Sequence, residues 1–120
     1  MTIRGQGLDH VALGVADQRR SERWYSELLG LEREYADAWG DTPVAVMSEG
    51  SGLALFKSAE QRPAGFRHLA FRVDRPNFER AQTELRDKEI KFEFQDHGVS
   101  HSIYFEDPDG VSLELTTYDL

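Results

Sequence analysis

Glu114 is a carboxylate set between Leu113 and Leu115 in the apolar strand pattern "GVSLELTT". Unpaired in a buried strand it would cost on the order of several kcal/mol, or take up a proton. Two of the four histidines, His10 in "DHVALGV" and His68 in "RHLAFRV", stand in matching local patterns 58 residues apart. Neutral imidazole and carboxylate together suit Fe(II), Mn(II), Ni(II) or Zn(II). Two His and one carboxylate leave positions open for a substrate. A divalent ion held by His10, His68 and Glu114 would also compensate the buried charge. That expectation holds only if the elements carrying the three side chains aim them to one side.

Periodicity supplies those elements. In "LDHVALGV" (8–15), Val11, Leu13 and Val15 alternate with His10, Ala12 and Gly14, which predicts a half-buried strand. Asp17 offers an N-cap for the helix "QRRSERWYSELLG", with Trp24, Leu28 and Leu31 at helical spacing, Trp24 in the core, and Gly30 as a stop. Strands are expected at 33–38, 43–48 and 52–57, then a polar linker at 58–65 with Pro63 and Gly65. The pattern restarts at 66–74, where Leu69, Phe71 and Val73 alternate with His68, Ala70 and Arg72. Pro76 opens a second helix carrying Phe78, Ala81 and Leu85 on one face. Strands at 89–94, 101–107 and 110–117 follow, the last two joined by the turn sequence "DPDG".

The two halves repeat. "DHVALGVAD" lies over "RHLAFRVDR", and "SGLALF" over "DGVSLE", both at an offset of 58. The chain therefore reads as a single α+β domain, 1–120, of two βαβββ modules, about 7–57 and 66–117. One such module is too small to cover both faces of its sheet, so the modules should pair within or between chains. At this offset Glu114 falls on Phe56. His10, His68 and Glu114 all lie on the side of their strands away from the helices.

Composition narrows the partners. A net charge of −8 opposes binding to nucleic acid or to an anionic membrane surface. No apolar run reaches the length of a membrane span, and "MTIRGQG" lacks the apolar core of a signal peptide. Cysteine is absent, which excludes disulfides, thiolate ligands and a cysteine nucleophile. A soluble, cytoplasmic protein with a small-molecule partner is the expectation.

"LDHVALGVAD…YSELLGL", "FRHLAFRVD" and "IYFEDPDGVSLEL" resemble the vicinal oxygen chelate superfamily of glyoxalases, bleomycin resistance proteins, fosfomycin-modifying enzymes and extradiol dioxygenases. The resemblance covers nearly the whole chain. It implies paired βαβββ modules forming a curved mixed sheet cup with the helices outside. It also implies a metal in the cup, a substrate bound through two neighbouring oxygens, and a homodimer.

Within the superfamily, resemblance to glyoxalase I would require a carboxylate ligand at the position read as Phe56. A fosfomycin-type thiol transferase would require basic residues near the metal, where only Arg72 is found, and a hydroxyl where Ala12 stands. Resemblance to the extradiol enzymes rests on "DHGVSHSIYFEDPDG". It casts Tyr104, ten residues before Glu114, and the loop residue His97 as the catalytic pair, and it favours Fe(II) or Mn(II) over Ni(II) or Zn(II). Strand parity likewise sends Tyr104 to the cup face with Ser102. The acid–base His that two-domain extradiol enzymes carry before the second metal His is missing from "GLALFKS", leaving His97 or His101 to replace it. Phe56, Ala12, Ala54, Ala70, Arg72, Ser102 and Trp39 are the expected substrate-facing residues. A glyoxalase-like lyase and a drug-binding resistance protein without catalysis are the alternatives.

Overall fold

Alternating side chains make His10–Val15 the first strand, β1, of a computed structural model that describes residues 8–58 and 66–120. Leu13 and Val15 are buried, whereas His10, Ala12 and Gly14 are exposed. Helix α1, Gln18–Leu29, begins where the Asp17 carboxylate accepts a hydrogen bond from the Arg20 amide, and ends at Gly30 in the left-handed conformation. Strands β2 (Glu32–Glu34), β3 (Val44–Ser48) and β4 (Ser51–Lys57) follow, with a short helix α2 (Ala36–Trp39) between β2 and β3. The first sheet runs in the order β1-β4-β3-β2, with β1 parallel to β4 and the other pairs antiparallel. Tyr25, Val44, Val46, Leu53 and Leu55 close the core between α1 and this sheet.

The second half repeats this plan. Strand β5 (Leu69–Arg72) leads to helix α3 (Arg75–Asp87), capped by Asp74 and opened by Pro76. Strands β6 (Glu93–Asp96), β7 (His101–Glu106) and β8 (Ser112–Thr117) complete the order β5-β8-β7-β6, again with one parallel pair. Phe78 and Leu85 of α3, which packs on β8, are buried, as are Ile103, Phe105, Leu113 and Leu115 of the sheet. The chain divides into two compact units, Met1–Gln61 and Arg62–Leu120, each a four-stranded mixed sheet in an α+β arrangement. Of the linker expected at 58–65, residues 59–65 lie outside the described residues, as does residue 7 at the start of the first module.

Four expectations are corrected. The strand expected at 33–38 stops at Glu34, because Tyr35 takes a left-handed backbone (φ 61°) and its carbonyl accepts from the amides of Ala38 and Trp39, starting α2. The strand expected at 89–94 begins only at Glu93. Residues 88–90 finish α3 instead, with the Ile90 amide donating to the Leu85 carbonyl and Glu89 at φ 58°. Tyr25, not Trp24, is the buried aromatic of α1: Tyr25 and Ser21 share the inward stripe, and Trp24 packs half-buried against the Tyr25 ring edge.

The fourth concerns Glu114. Ala12 and Ala70 match at the 58-residue offset, but Ala12 pairs with Ala54, 42 residues on, and Ala70 pairs with Glu114, 44 residues on. The second unit reaches its last strand by a longer path. A two-residue turn at Glu49 and Gly50 joins β3 to β4, whereas residues 107–111 join β7 to β8. By sheet register the counterpart of Glu114 is therefore Ala54, not Phe56. Alanine cannot ligate a metal either, so the first unit still supplies no carboxylate at that place.

Candidate metal centre

Glu114 sits in the middle of β8 with β5 on one side and β7 on the other. Its register partners are Ala70 and Tyr104. The residue is 8% exposed, yet its charge is met. Ser102, fully buried on β7, donates its hydroxyl to Glu114 Oε2 at 2.6 Å and lies 3.1 Å from the Thr116 hydroxyl. His68, one residue before β5, brings Nε2 to 3.0 Å from Glu114 Oε1. One carboxylate oxygen is thus anchored by the sheet and the other faces an imidazole nitrogen.

Tyr104 joins this cluster, its ring edge-on to His68 with centroids 5.7 Å apart. Its hydroxyl is 2.9 Å from His97 Nε2. Burial first, then the negative charge and hydrogen bond of Glu114, push the phenol above its ordinary value, against an opposing hydrogen bond from Ser102. Tyr104 therefore remains a neutral donor through the neutral range. His97 comes from the tight segment before β7, where the Gly98 amide donates to the Asp96 carboxylate at 2.8 Å. His101 does not share this face. Its Nδ1 accepts from Arg75 at 2.9 Å, and its ring meets Phe94. Of His97 and His101, the structure puts only His97 beside Tyr104.

In the first unit, His10 is held by its neighbour. Asp9 Oδ2 is 2.7 Å from His10 Nδ1. A carboxylate can only accept, so Nδ1 carries a proton, and in the neutral ring Nε2 holds the free lone pair. Sequence reasoning missed Asp9, because strand parity assigns adjacent residues to opposite faces and does not foresee a bond between them. It likewise read Ser102 as substrate-facing, whereas the structure commits its hydroxyl to Glu114. Beside His10 lies a cavity of about 250 Å³ whose lining includes Trp39, Ala54 and Phe56 together with Tyr35 and Met47. Ala12 is exposed on β1, Ala70 on β5, and Arg72 stacks on the Tyr118 ring at 4.7 Å.

His68 and Glu114 carry donor atoms of the kind that suit a divalent ion. His68 Nε2 and Glu114 Oε1 stand 3.0 Å apart, a hydrogen-bond distance that is also about the separation of two ligands at right angles on one octahedral ion. The Asp9 carboxylate on His10 Nδ1 is the kind of partner that metal-ligating histidines carry on their second nitrogen. Among the described residues, no group of three His, Asp or Glu side chains stands together in metal-binding geometry. His68 and Glu114 belong to the second unit and His10 to the first.

Two mixed sheets of this topology, each with its helix, define a class that comparison identifies. The family model of the Glyoxalase/Bleomycin resistance protein/Dioxygenase superfamily matches residues 7–115, and the chain belongs to that family. It is 29% identical over 114 residues to "Glutathione transferase FosA" of Serratia marcescens, covering 92% of this chain and 79% of that protein. It is 27% identical over 124 residues to "Metallothiol transferase FosB" of Staphylococcus haemolyticus, covering 96% and 86%. Among solved structures it resembles "Oxidase ChaP-H2", with a TM-score of 0.75, 26% identity and coverage of 98% and 94%. No helix among the described residues is long and apolar enough to cross a membrane.

Proposed function

We propose that the protein is a divalent-metal-dependent enzyme whose ligands are His10, His68 and Glu114, acting on a small molecule that offers two neighbouring oxygens. The observation that carries this reading is the His68–Glu114 pair, set at ligand spacing and braced by Ser102. When bound, the ion would supply Lewis-acid binding of the two substrate oxygens. Tyr104 would donate a hydrogen bond to one of those oxygens, and His97 would take up or return a proton through the Tyr104 hydroxyl. The Tyr104–His97 pair favours extradiol-type oxidation of a catechol-like substrate with Fe(II) or Mn(II). In that chemistry both atoms of dioxygen enter the ring-opened product, so no added reductant is needed.

A second reading, a thiol transferase, draws on the names of the two transferase relatives. Against it, the only cation on the cup-facing side of β5, Arg72, is stacked on Tyr118. The chain is further proposed to act as a homodimer in the cytoplasm. Metal analysis after anaerobic loading with Fe(II) or Mn(II) should find one ion per chain, lost in His68→Ala and Glu114→Gln. A catechol panel should then give a yellow ring-fission product under air. Turnover of glutathione with fosfomycin, and none of catechols, would move the reaction to the transferase branch. Less than a tenth of an ion per chain with Fe(II), Mn(II), Ni(II) and Zn(II) alike would overturn the metal reading.

A further inference from the structure

The cavity beside His10 has walls the metal chemistry does not require. Tyr35 and Trp39 face each other across α2 with ring centroids 4.8 Å apart and planes tilted by 43°. The two rings are 53% and 48% exposed, and Phe56, on the same cavity, is 40% exposed. Large rings left half open are unusual in a surface and gain by covering one another or a ligand. Tyr35 also holds a left-handed backbone (φ 61°), a conformation disfavoured for an aromatic residue and retained where the surroundings fix it. That turn is what sets its ring against Trp39. The Met47 side chain adds a polarizable wall of the kind that packs against ring edges.

Size and charge restrict the occupant. A cavity of about 150 Å³ suffices for benzene, so about 250 Å³ has room for one or two fused rings. Among the described residues, no lysine or arginine lines the cavity, and the Asp9 carboxylate stands at its edge beside His10. An anionic group there would meet a like charge, with no counter-ion among the described lining residues.

We propose that this cavity binds a planar, uncharged aromatic group of one or two rings, and that it thereby selects aromatic substrates for the metal-dependent reaction. The selection of substrate rests on the function proposed above; the binding itself does not. Tyr35, Trp39 and Phe56 supply the π faces, Met47 the soft wall, and His10 marks the edge at which the ring's oxygens would be presented.

The test is an NMR titration of metal-free, full-length protein with 2-naphthol, which has one oxygen and cannot chelate. The Trp39 indole N–H reports the cavity, and the Trp24 indole serves as internal control. Saturable shifts of Trp39 with Trp24 unmoved are expected, and 2-naphthoate should bind at least tenfold more weakly. Phe56→Ala should weaken 2-naphthol about tenfold, Phe56→Leu less, and His68→Ala not at all. Because Phe56 is half exposed, its replacement leaves the core filled, which circular dichroism checks. Several outcomes would overturn the proposal: no saturation up to the solubility limit, equal affinity for 2-naphthoate, or unchanged affinity in Phe56→Ala. So would Trp39 shifts that follow protein concentration rather than ligand, since a second copy would then fill the cavity. Naphthol binding without metal uptake would sink the proposed function alone, and metal uptake without naphthol binding would sink this inference alone.

Discussion

Ser102 is the residue on which the Glu114 side chain depends most directly. Its hydroxyl is fully buried and donates to Oε2, leaving Oε1 for His68. Removing it leaves a buried carboxylate oxygen without its donor, a loss of about 1–3 kcal/mol. Ser102→Ala should therefore lower the unfolding free energy by that amount, seen as a lower denaturant midpoint at an unchanged m-value, and weaken metal binding as well. A variant with full stability and full metal affinity would show that Glu114 does not need this anchor. Asp9 plays the corresponding part for His10, but from an exposed position, 81% open at the side chain. Asp9→Asn keeps the shape and removes the charge that fixes the Nδ1 proton. Metal affinity by competition with a chelator should fall about tenfold or more, while thermal stability stays within a degree or two. At this scale the sequence revealed strand faces, since Tyr104, Ser102 and Glu114 follow parity. It did not reveal Asp9's bond, because rotamers and not periodicity decide it.

Elements explain why some of the plan was legible and some was not. Helices α1 and α3 carry their own boundary signals, Asp17 and Gly30 in one, Asp74 and Pro76 in the other, and these are local chemistry. Helix α2 has no side-chain cap and hangs on the left-handed Tyr35, a conformation no residue type other than glycine announces. Register depends on loop length, so a repeat read by one offset matched β1 to β5 yet slipped by two residues at β8. The Asp17 cap also gives the first helix a pH response. The Arg20 amide, donating to its carboxylate, is the largest influence and holds Asp17 below its usual value of 3.8. A depressed carboxylate stabilises the fold above the unfolded value and loses that contribution as pH falls through the folded one. The helix signal of the wild type should thus weaken as pH drops below about 3.8. Asp17→Asn, which caps without titrating, should remove that part of the acid dependence. Parallel acid titrations by circular dichroism compare the two, and superimposable curves would deny the cap its pH effect.

At the scale of the whole molecule, the proposed ligand set draws one histidine from the first unit and a histidine and glutamate from the second. Each unit has a helix on one face of its sheet, and a unit of about 60 residues is marginal by itself. Bound metal should therefore couple the units thermodynamically. The chain offers a way to watch this, because its two tryptophans, Trp24 and Trp39, both lie in the first unit. Tryptophan fluorescence follows that unit alone. A Phe94→Trp probe, placed at a half-exposed site on β6 in a chain with Trp24 and Trp39 replaced by Phe, follows the second. Metal at about a hundred times its Kd adds about 2.7 kcal/mol to whatever it binds. With all three ligands on one ion, both probes should shift to higher denaturant by the same free energy and remain coincident. His10→Ala should cut the shift of both probes, although the substitution lies in the first unit only. If metal raises the second unit's transition and leaves the first where it was, His68 and Glu114 bind without His10. The site would then be a two-residue one confined to Arg62–Leu120.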